Sequence, residues 1–324
     1  MPGDRETFAV HGDTGLVLSS MQGEAGPELL RSAVARGRIE RLVRGVYAIA
    51  ASRPAHETYV LLAMAVGLTN GASVVTGPAA AAIMGFAFLR PGDGRVDVLA
   101  VGSKDRHRGR TVTRRAVKSA GTVYISRGIR VTSPVRTVLE TCVLHGFKAG
   151  LVVAESVMWR GCGDADAFAA ELRSMGPRRG IKEARRVVAL ASDRSQSAGE
   201  SLVRWCIDRA GLPQPLQQVA LYDRRGNWLA VVDFFWPELG LVIEFDGLVK
   251  TSGKFGAPSE VARKQLDRQN LLLHAGVRVI RLEWDDVFSG RCIAVLVDAY
   301  RQRQAQGSDF TGHHRLADPS SQRR

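Results

Sequence analysis

Cysteine is scarce in this 324-residue chain, and its placement excludes two common uses of thiols. The four cysteines lie far apart in the sequence, and none forms a CxxC or Cys/His spacing typical of zinc or redox sites. Reduced, mostly buried thiols are therefore expected, as is usual for a cytoplasmic protein.

Long hydrophobic runs and a leader-like N-terminus are also missing. MPGDRETFAV has no basic region followed by an apolar run, so no signal peptide is expected. The stretch from Thr58 to Leu89 carries no charge, but Thr69-Asn70-Gly71 and Gly77-Pro78 divide it, and its Ala and Gly supply little hydrophobicity. We expect two buried helices there, and no membrane partner.

Acidic residues are outnumbered, with 32 Asp and Glu against 45 Lys and Arg, which gives a net charge of +13. A basic balance of this size favours a polyanionic partner, most often nucleic acid, although it also fits ordinary solubility. The length is sufficient for two or three domains with sizeable cores.

Four acids lie in the largely apolar stretch Ala230–Lys250, with Glu238 in its turn and Asp233, Glu244 and Asp246 outside the turn. Two β-type runs, Val231–Trp236 and Leu241–Phe245, flank the turn-like Pro237-Glu238-Leu239-Gly240, which predicts a hairpin whose strands bury both faces. A turn centred near Glu238 and Leu239 sets Asp233 directly across from Glu244.

This register predicts a metal site. Asp246 lies two residues beyond Glu244 and shares its face of the strand. Three carboxylates in an apolar hairpin are costly unless a cation lies among them, and hard divalent cations prefer carboxylate oxygens. Asp233, Glu244 and Asp246 are therefore the predicted ligands of Mg²⁺ or Mn²⁺. The alternative is that the strand ends are frayed and the acids are solvated.

The N-terminal residues 1–50 predict a winged helix-turn-helix. Ser19 or Ser20 is expected to cap a short helix, Gly26-Pro27 to open a second helix over Glu28–Arg36, and Arg38–Ile49 to form a small hairpin broken at Arg44-Gly45. In this arrangement the second helix enters the DNA major groove and the hairpin lies on the backbone.

Basic residues crowd this segment and supply positive charge where phosphates would lie. The predicted DNA-binding residues are Arg31, Arg36, Arg38, Arg41 and Arg44. A small protein-contact domain with a solvated basic face is the alternative.

Residues 1–148 resemble AbiEi-type abortive-infection antitoxins. The resemblance is carried by the Ser-Ser helix start, the Gly26 turn and the run RGRIERLVRGVYA (Arg36–Ala48), and it continues through a middle domain, residues 56–148, in TGPAAAAIMGF (Thr76–Phe86) and GIRVTSPVRTVLE (Gly128–Glu140). It implies a winged helix that binds promoter DNA and a following domain that acts against a cognate toxin.

The remaining segments connect or terminate these domains. Lys104–Lys118 is strongly basic and is expected to form a solvated loop or strand pair. The alternative is a second surface that contacts phosphates. Residues 149–194 are expected to be a helical connector. The polar, proline-containing tail, residues 307–324, is expected to be disordered, and its adjacent histidines are too few for a metal site.

Residues 195–306 form the last predicted domain, in which residues 195–300 resemble the restriction-endonuclease-like PD-(D/E)XK superfamily, closest to the branch near very-short-patch-repair nucleases. The predicted order is α-β-β-β-α-β, and GVRVIRLEWDD (Gly276–Asp286) matches the last strand and the Trp-x-Asp that follows. The matching site residues are Glu200 in SAGES, Gln218, Asp233 in VDFFWPE, and Glu244 with Asp246 in VIEFDG. Glu200 could instead play a plain N-terminal charge role on its helix.

The chain departs from that superfamily at position 246, where Asp246 replaces the lysine of the acid-x-lysine motif. Lys250 is the expected displaced equivalent, with Lys264 or Arg268 as substitutes from the following helix. Glu200, Asp233, Glu244 and Lys250 are then the catalytic set, and Gln218, Asp246, Lys264 and Arg268 are auxiliary. If no cation substitutes for the lysine, the domain binds DNA without cutting it.

Two functions stay open at this point. One is a metal-dependent endonuclease of double-stranded DNA, a multidomain protein with a winged helix, an α+β middle domain and a restriction-endonuclease-like α/β domain. The other is a non-catalytic DNA-binding regulator or antitoxin of a type IV toxin–antitoxin-like system, with a cognate toxin as partner. The sequence does not indicate the oligomeric state.

Overall fold

The computed structural model describes residues 8–104, 106–247 and 268–318. The chain divides into two compact units, Met1–Ala191 and Ser192–Arg324. It is a mixed α/β protein, and the strands of the described residues form three sheets.

The N-terminal unit begins with a small three-stranded sheet of order β1-β3-β2 and one helix. Its elements are β1 (Val17–Leu18), α1 (Gly26–Ala35), β2 (Ile39–Val43) and β3 (Val46–Ile49). The expected second helix and hairpin are therefore present, with proline in the first turn of α1.

The expected first helix is a single 3₁₀ turn, Ser19–Met21, and neither serine caps it. Leu18 holds the N-cap position, and the side-chain amide of Gln22 donates to the Leu18 carbonyl at 2.9 Å and to the Ala9 carbonyl at 2.6 Å. The glutamine thus takes up backbone groups that a regular helix would have used.

The rest of this unit is a six-stranded sheet of order β6-β7-β5-β4-β9-β8, together with five helices in the part of the unit that the structure describes. Its strands are β4 (Val74–Val75), β5 (Val96–Val101), β6 (His107–Arg108), β7 (Val112–Val117), β8 (Val123–Ser126) and β9 (Ile129–Thr132). Its helices are α2 (Ala55–Thr69), α3 (Gly77–Met84), α4 (Pro134–Trp159), α5 (Ala165–Met175) and α6 (Ile181–Leu190).

The small sheet and the larger one share a hydrophobic core. Leu16 and Val46 beside the small sheet lie in one cluster with Tyr59 and Ala63 of α2 and with Val98 of β5. Burial of this apolar surface holds residues 8–191 together as one unit. The finer division at residues 50 and 148 stays a prediction.

Helices α2 and α3 confirm the expectation of two buried helices in the uncharged stretch. Helix α4 is long and apolar enough to cross a membrane by length and composition, yet 72% of that apolar window is buried within the protein. Gly146 (φ +82°) also breaks its helical geometry. Core helices of soluble proteins share this composition.

The C-terminal unit is built on a five-stranded sheet of order β13-β12-β11-β10-β14. Its strands are β10 (Leu216–Tyr222), β11 (Trp228–Trp236), β12 (Leu241–Phe245), β13 (Arg278–Leu282) and β14 (His313–Leu316). Its helices, within the described residues, are α7 (Ala198–Arg209), α8 (residues 268–274), α9 (Trp284–Ser289) and α10 (Cys292–Gln306).

The central hairpin forms as predicted. Pro237–Leu239 make a 3₁₀ turn that Gly240 closes in the left-handed region (φ +56°), and the register is Trp236↔Leu241, Phe235↔Val242 and Phe234↔Ile243. Leu241 to Ile243 are fully buried, so successive side chains are covered on both faces of β12.

The expectation of a disordered tail is wrong for residues 307–318. Strand β14 pairs antiparallel with β10, from Val219↔Leu316 to Tyr222↔His313, and Phe310 packs edge-on against Phe235. Tail and sheet approach so closely that a Cβ on Gly312 would lie 2.0 Å from the Tyr222 carbonyl oxygen. The tail completes the sheet through its backbone, which explains why its polar side chains gave no signal.

Candidate functional site

The site begins with a row of polar side chains that crosses three strands. The β10–β11 register pairs Gln217 with Phe234 and Val219 with Val232, which sets Gln218 opposite Asp233. The β11–β12 register, continued by one residue, sets Asp233 opposite Glu244. The register predicted from the sequence is the observed one, and it aligns an amide and two carboxylates in the middle of the sheet.

Asp233 is held by neutral donors. Its Oδ2 accepts the backbone N–H of Phe245 at 2.9 Å, and its Oδ1 accepts the side-chain amide of Gln218 at 3.3 Å. Burial raises the pKa of Asp233; the Phe245 hydrogen bond opposes this, and the nearby Glu244 charge raises the pKa further.

Glu200 joins the row from the first turn of α7. Its Oε1 accepts the Ser197 hydroxyl at 2.9 Å, and its Oε2 accepts the Gln196 backbone N–H at 3.0 Å and the Gln218 amide at 3.1 Å. Ser197 in turn caps α7 by accepting the Glu200 N–H. The plain helix-terminus role and the site role therefore coexist in this residue.

A glycine allows α7 to lie this close to the sheet. A Cβ on Gly199 would fall 2.0 Å from the ring of Phe245, which itself packs edge-on against Trp284. Because no larger residue fits, Gly199 fixes the approach of α7 and brings Glu200 to Asp233.

Burial and the proximity of Asp233 shift the pKa of Glu200. Burial raises the pKa of Glu200 to about 8, and the negative charge of Asp233 adds to this effect against the hydrogen bonds from Gln196, Ser197 and Gln218. At neutral pH the pair Glu200 and Asp233 therefore retains a proton that two solvated carboxyls would lose. Such a pair is stabilised by a cation placed among its oxygens.

Gln218 is held in an unusual backbone conformation at the centre of this network. Its φ of +51° is rare for a residue with a side chain, and its carbonyl accepts the backbone N–H of Ala317, just beyond β14. Strained backbone persists where its surroundings impose it, and it is common at functional sites. The tail thus helps to hold the amide between Glu200 and Asp233.

Glu244 differs from the other two acids because arginines neutralise it. Arg268 of α8 lies 2.5 Å from Glu244 Oε1 and also donates to the Val231 carbonyl, and Arg281 of β13 lies 3.4 Å from Oε2. The parallel β12–β13 register places Arg281 beside Glu244. Arg268 was an expected substitute for the missing lysine, whereas Arg281 was not foreseen, because its position depends on a parallel pairing distant in sequence.

Of the other sequence-predicted residues, Asp246 lies at the edge of this cluster. Asp246 follows the end of β12, and its backbone N–H donates to the Leu282 carbonyl at 2.8 Å. Lys250 and Lys264 lie outside the described residues. Within residues 8–104, 106–247 and 268–318, no group of three or more His, Cys, Asp or Glu side chains is arranged to hold a metal ion.

The chemistry of the three carboxylates, though not their present arrangement, suits a hard divalent cation. Glu200, Asp233 and Glu244 offer carboxylate oxygens, the type that Mg²⁺ and Mn²⁺ prefer. Burial is the main cause of the raised pKa values of Glu200 and Asp233, and the charges of Asp233 on Glu200 and of Glu244 on Asp233 add to it. Glu200, Asp233 and Glu244 would be the residues to hold such an ion, in competition with the pairs that Arg268 and Arg281 make with Glu244.

The predicted DNA-binding arginines lie on the first elements of the N-terminal unit. Arg31 is exposed on α1, Arg36 directly follows that helix, and Arg41 and Arg44 are exposed on β2 and its turn. Arg38 is half-buried, with its guanidinium 5.9 Å from the centre of the Phe8 ring. Four of the five thus present charge to solvent.

The chain is therefore a mixed α/β protein with a cluster of carboxylates at the sheet of its C-terminal unit.

No family model matches the chain. Two proteins of Mycobacterium tuberculosis, Uncharacterized protein MT2308 and Uncharacterized protein Rv2248, are each 33% identical to it over 110 residues, which is 34% of this chain and 38% of the relative. The chain therefore matches well under half the length of these curated relatives.

A solved structure is also similar. The crystal structure of the RV2827C protein from Mycobacterium tuberculosis aligns with 62% of this chain and 78% of its own, at 13% sequence identity and a TM-score of 0.35.

Proposed function

We propose that the chain is a metal-dependent DNA endonuclease, which binds duplex DNA through its N-terminal winged segment and hydrolyses phosphodiester bonds with its C-terminal unit. The observation that carries the proposal is the placement of Asp233 opposite Glu244, with Glu200 joined to Asp233 through the Gln218 amide. The resemblance to PD-(D/E)XK nucleases and the net charge of +13 accord with it.

Each residue of the cluster then has a separate role. Asp233 and Glu244 would hold Mg²⁺ or Mn²⁺, with Glu200 or Asp246 completing the ligands. Such an ion would supply a water of lowered pKa and positive charge for the scissile phosphate. Gln218 keeps Asp233 and Glu200 in register through the two hydrogen bonds of its amide.

The arginines beside Glu244 supply the positive charge expected of the missing lysine. Arg268 and Arg281 already lie at the carboxylate, so a phosphate oxygen approaching Glu244 meets two guanidinium groups. Guanidinium groups form strong paired hydrogen bonds with phosphate and stabilise charge that develops in the transition state. Lys250 and Lys264 remain expected contributors to the same task.

A cleavage assay tests the proposal. Supercoiled plasmid should be nicked or linearised with Mg²⁺ or Mn²⁺ and left intact with EDTA, and Asp233→Ala and Glu244→Ala should each lower the rate at least 100-fold by removing a ligand. Glu238→Ala, in the exposed hairpin turn, is the matched control and should cleave like the wild type. Metal-dependent cleavage at the wild-type rate in both site variants would remove the assignment.

A second function is favoured by a specific observation. Arg268 lies 2.5 Å from Glu244, in the place where an ion would sit, and Asp246 occupies the lysine position of the motif. A protein that binds DNA without cutting it, such as an antitoxin-like regulator with a cognate toxin in the cytoplasm, would tolerate both features. Tight duplex binding by the wild type, without cleavage under either metal ion, would select this function.

A further inference from the structure

A large cleft in the N-terminal unit has no role in the proposed function. It has a volume of about 1260 Å³ and lies between the end of β7, the β7–β8 connection, α4 and the end of α5. Among the described residues, its lining contains one acidic side chain, Glu171, and six cationic side chains. The cationic residues are Arg106, Arg115, Lys118, Arg136, Arg178 and Arg179. The basic stretch Lys104–Lys118, read as a solvated loop or strand pair, supplies three of them.

Two carboxylates hold the inner arginines in place. Glu140 is fully buried and pairs with Arg115 at 2.6 Å, with Arg136 at 2.9 Å and with Arg178 at 3.6 Å. Arg136 also pairs with Glu171 at 2.9 Å. The guanidinium groups are therefore ordered before any ligand arrives, which lowers the entropic cost of binding one.

Positive charge remains in excess despite these pairs. Burial lowers the pKa of Arg178, and although Glu140 opposes this, the charges of Arg136 and Arg115 lower it further. The Nε of Arg115 is buried and has no hydrogen-bond partner among the described residues. An anion in the cleft would offset the repulsion and could accept hydrogen bonds from these side chains.

We infer that this cleft binds a small molecule carrying a pyrophosphate or similar chain of phosphates. The paired arginines match the planar, bidentate geometry of phosphate oxygens, and their number calls for a multiply charged anion. Arg136 is only 4% exposed and is already paired with Glu140 and Glu171, so it adds positive charge to the lining without being open to solvent. A ligand meets Arg115 and Arg178 instead, whose side chains are 25% and 31% exposed. Aliphatic side chains such as Val117, Leu144 and Met175 line the rest of the cleft.

Calorimetric titration of the full chain with inorganic pyrophosphate tests this inference. Separate titrations with citrate, a polycarboxylate, and with a 30-base-pair DNA duplex serve as comparisons. Pyrophosphate should bind saturably at physiological salt. Arg179→Glu and Lys118→Glu, both exposed at the rim, should weaken it about tenfold or more by reversing a charge near the ligand.

Arg185→Glu supplies the matched control, since it makes the same charge change on exposed α6 outside the cleft and should bind pyrophosphate like the wild type. Three outcomes would overturn the inference: no saturable binding of pyrophosphate, equal weakening by Arg185→Glu, or equal binding of citrate. The inference would also be overturned if the rim variants lost binding to the duplex but kept binding to pyrophosphate, because the cleft would then be a DNA-binding surface.

Discussion

Both units bury carboxylates, but they balance the charge in opposite ways. In the N-terminal unit, Glu140 is surrounded by Arg115, Arg136 and Arg178, so cations are in excess. In the C-terminal unit, Glu200 and Asp233 are held by hydroxyl, amide and backbone N–H donors, and burial raises the pKa of each. A buried acid among arginines organises an anion site, whereas buried acids among neutral donors favour a cation.

Removing the acid from the arginine-rich cluster should have the largest effect on stability. Glu140→Ala leaves three arginines without their shared counter-charge, so the free energy of unfolding should fall by about 3–5 kcal/mol in urea denaturation. Glu183→Ala breaks an exposed pair with Arg186 and should cost about 0.5 kcal/mol or less. Similar losses in the two variants would contradict the idea that Glu140 organises the cleft.

The acid-rich cluster should instead make stability depend on pH. Because the folded-state pKa of Glu200 is raised to about 8 from its ordinary value of 4.5, the folded protein keeps a proton that the unfolded chain loses in this range. Stability is therefore fully present below pH 4.5 and falls as the pH rises toward 8, by at most about 1.4 kcal/mol per pH unit.

Urea denaturation without divalent ions at pH 5.5 and 7.5 measures this. Between the two pH values the free energy of unfolding of Glu200→Gln, which cannot ionise at position 200, should fall by about 1–3 kcal/mol less than that of the wild type. Glu238→Gln, in the exposed turn, should follow the wild type. An identical pH dependence in Glu200→Gln and wild type would show that Glu200 is not the titrating group.

The exposed arginines of the first 50 residues should show the smallest effects. If they contact phosphates, Arg36→Ala and Arg41→Ala should each weaken duplex binding several-fold and reduce the salt slope by about 1. Fluorescence anisotropy across a range of salt concentrations measures both quantities, with Arg185→Ala as the control. An unchanged salt slope would count against the winged segment as the DNA contact.

The sequence predicted a feature correctly where residues close together in the chain determine that feature. The Asp233–Glu244 register followed from two apolar strands and a short turn, and it was correct. Arg281 reaches Glu244 only through a parallel strand pairing, and the φ of Gln218 is imposed by β10 and the tail. Neither depends on a local pattern, so neither could be predicted.

Two further differences have the same kind of cause. The tail strand β14 is exposed along its length and pairs with β10 through its backbone, while His314 and Arg315 contact the rings of Phe235 and Tyr222. Its side chains show no apolar–polar alternation that would predict a strand. The expected first helix is a 3₁₀ turn because Gln22 binds the backbone beside it. The cationic cleft combines residues from four separate segments, and only the fold reveals that Glu140 gathers them.

The most direct measurement of the central idea, that Glu200, Asp233 and Glu244 converge on a cation, is calorimetric titration with Mn²⁺ at pH 7. The wild type should bind the ion and release close to one proton, seen as a heat that varies with buffer ionisation enthalpy, since the ion displaces the proton held by Glu200 and Asp233. Asp233→Asn should lose this binding. Absence of binding in the wild type, or equal binding by Asp233→Asn, would contradict the account.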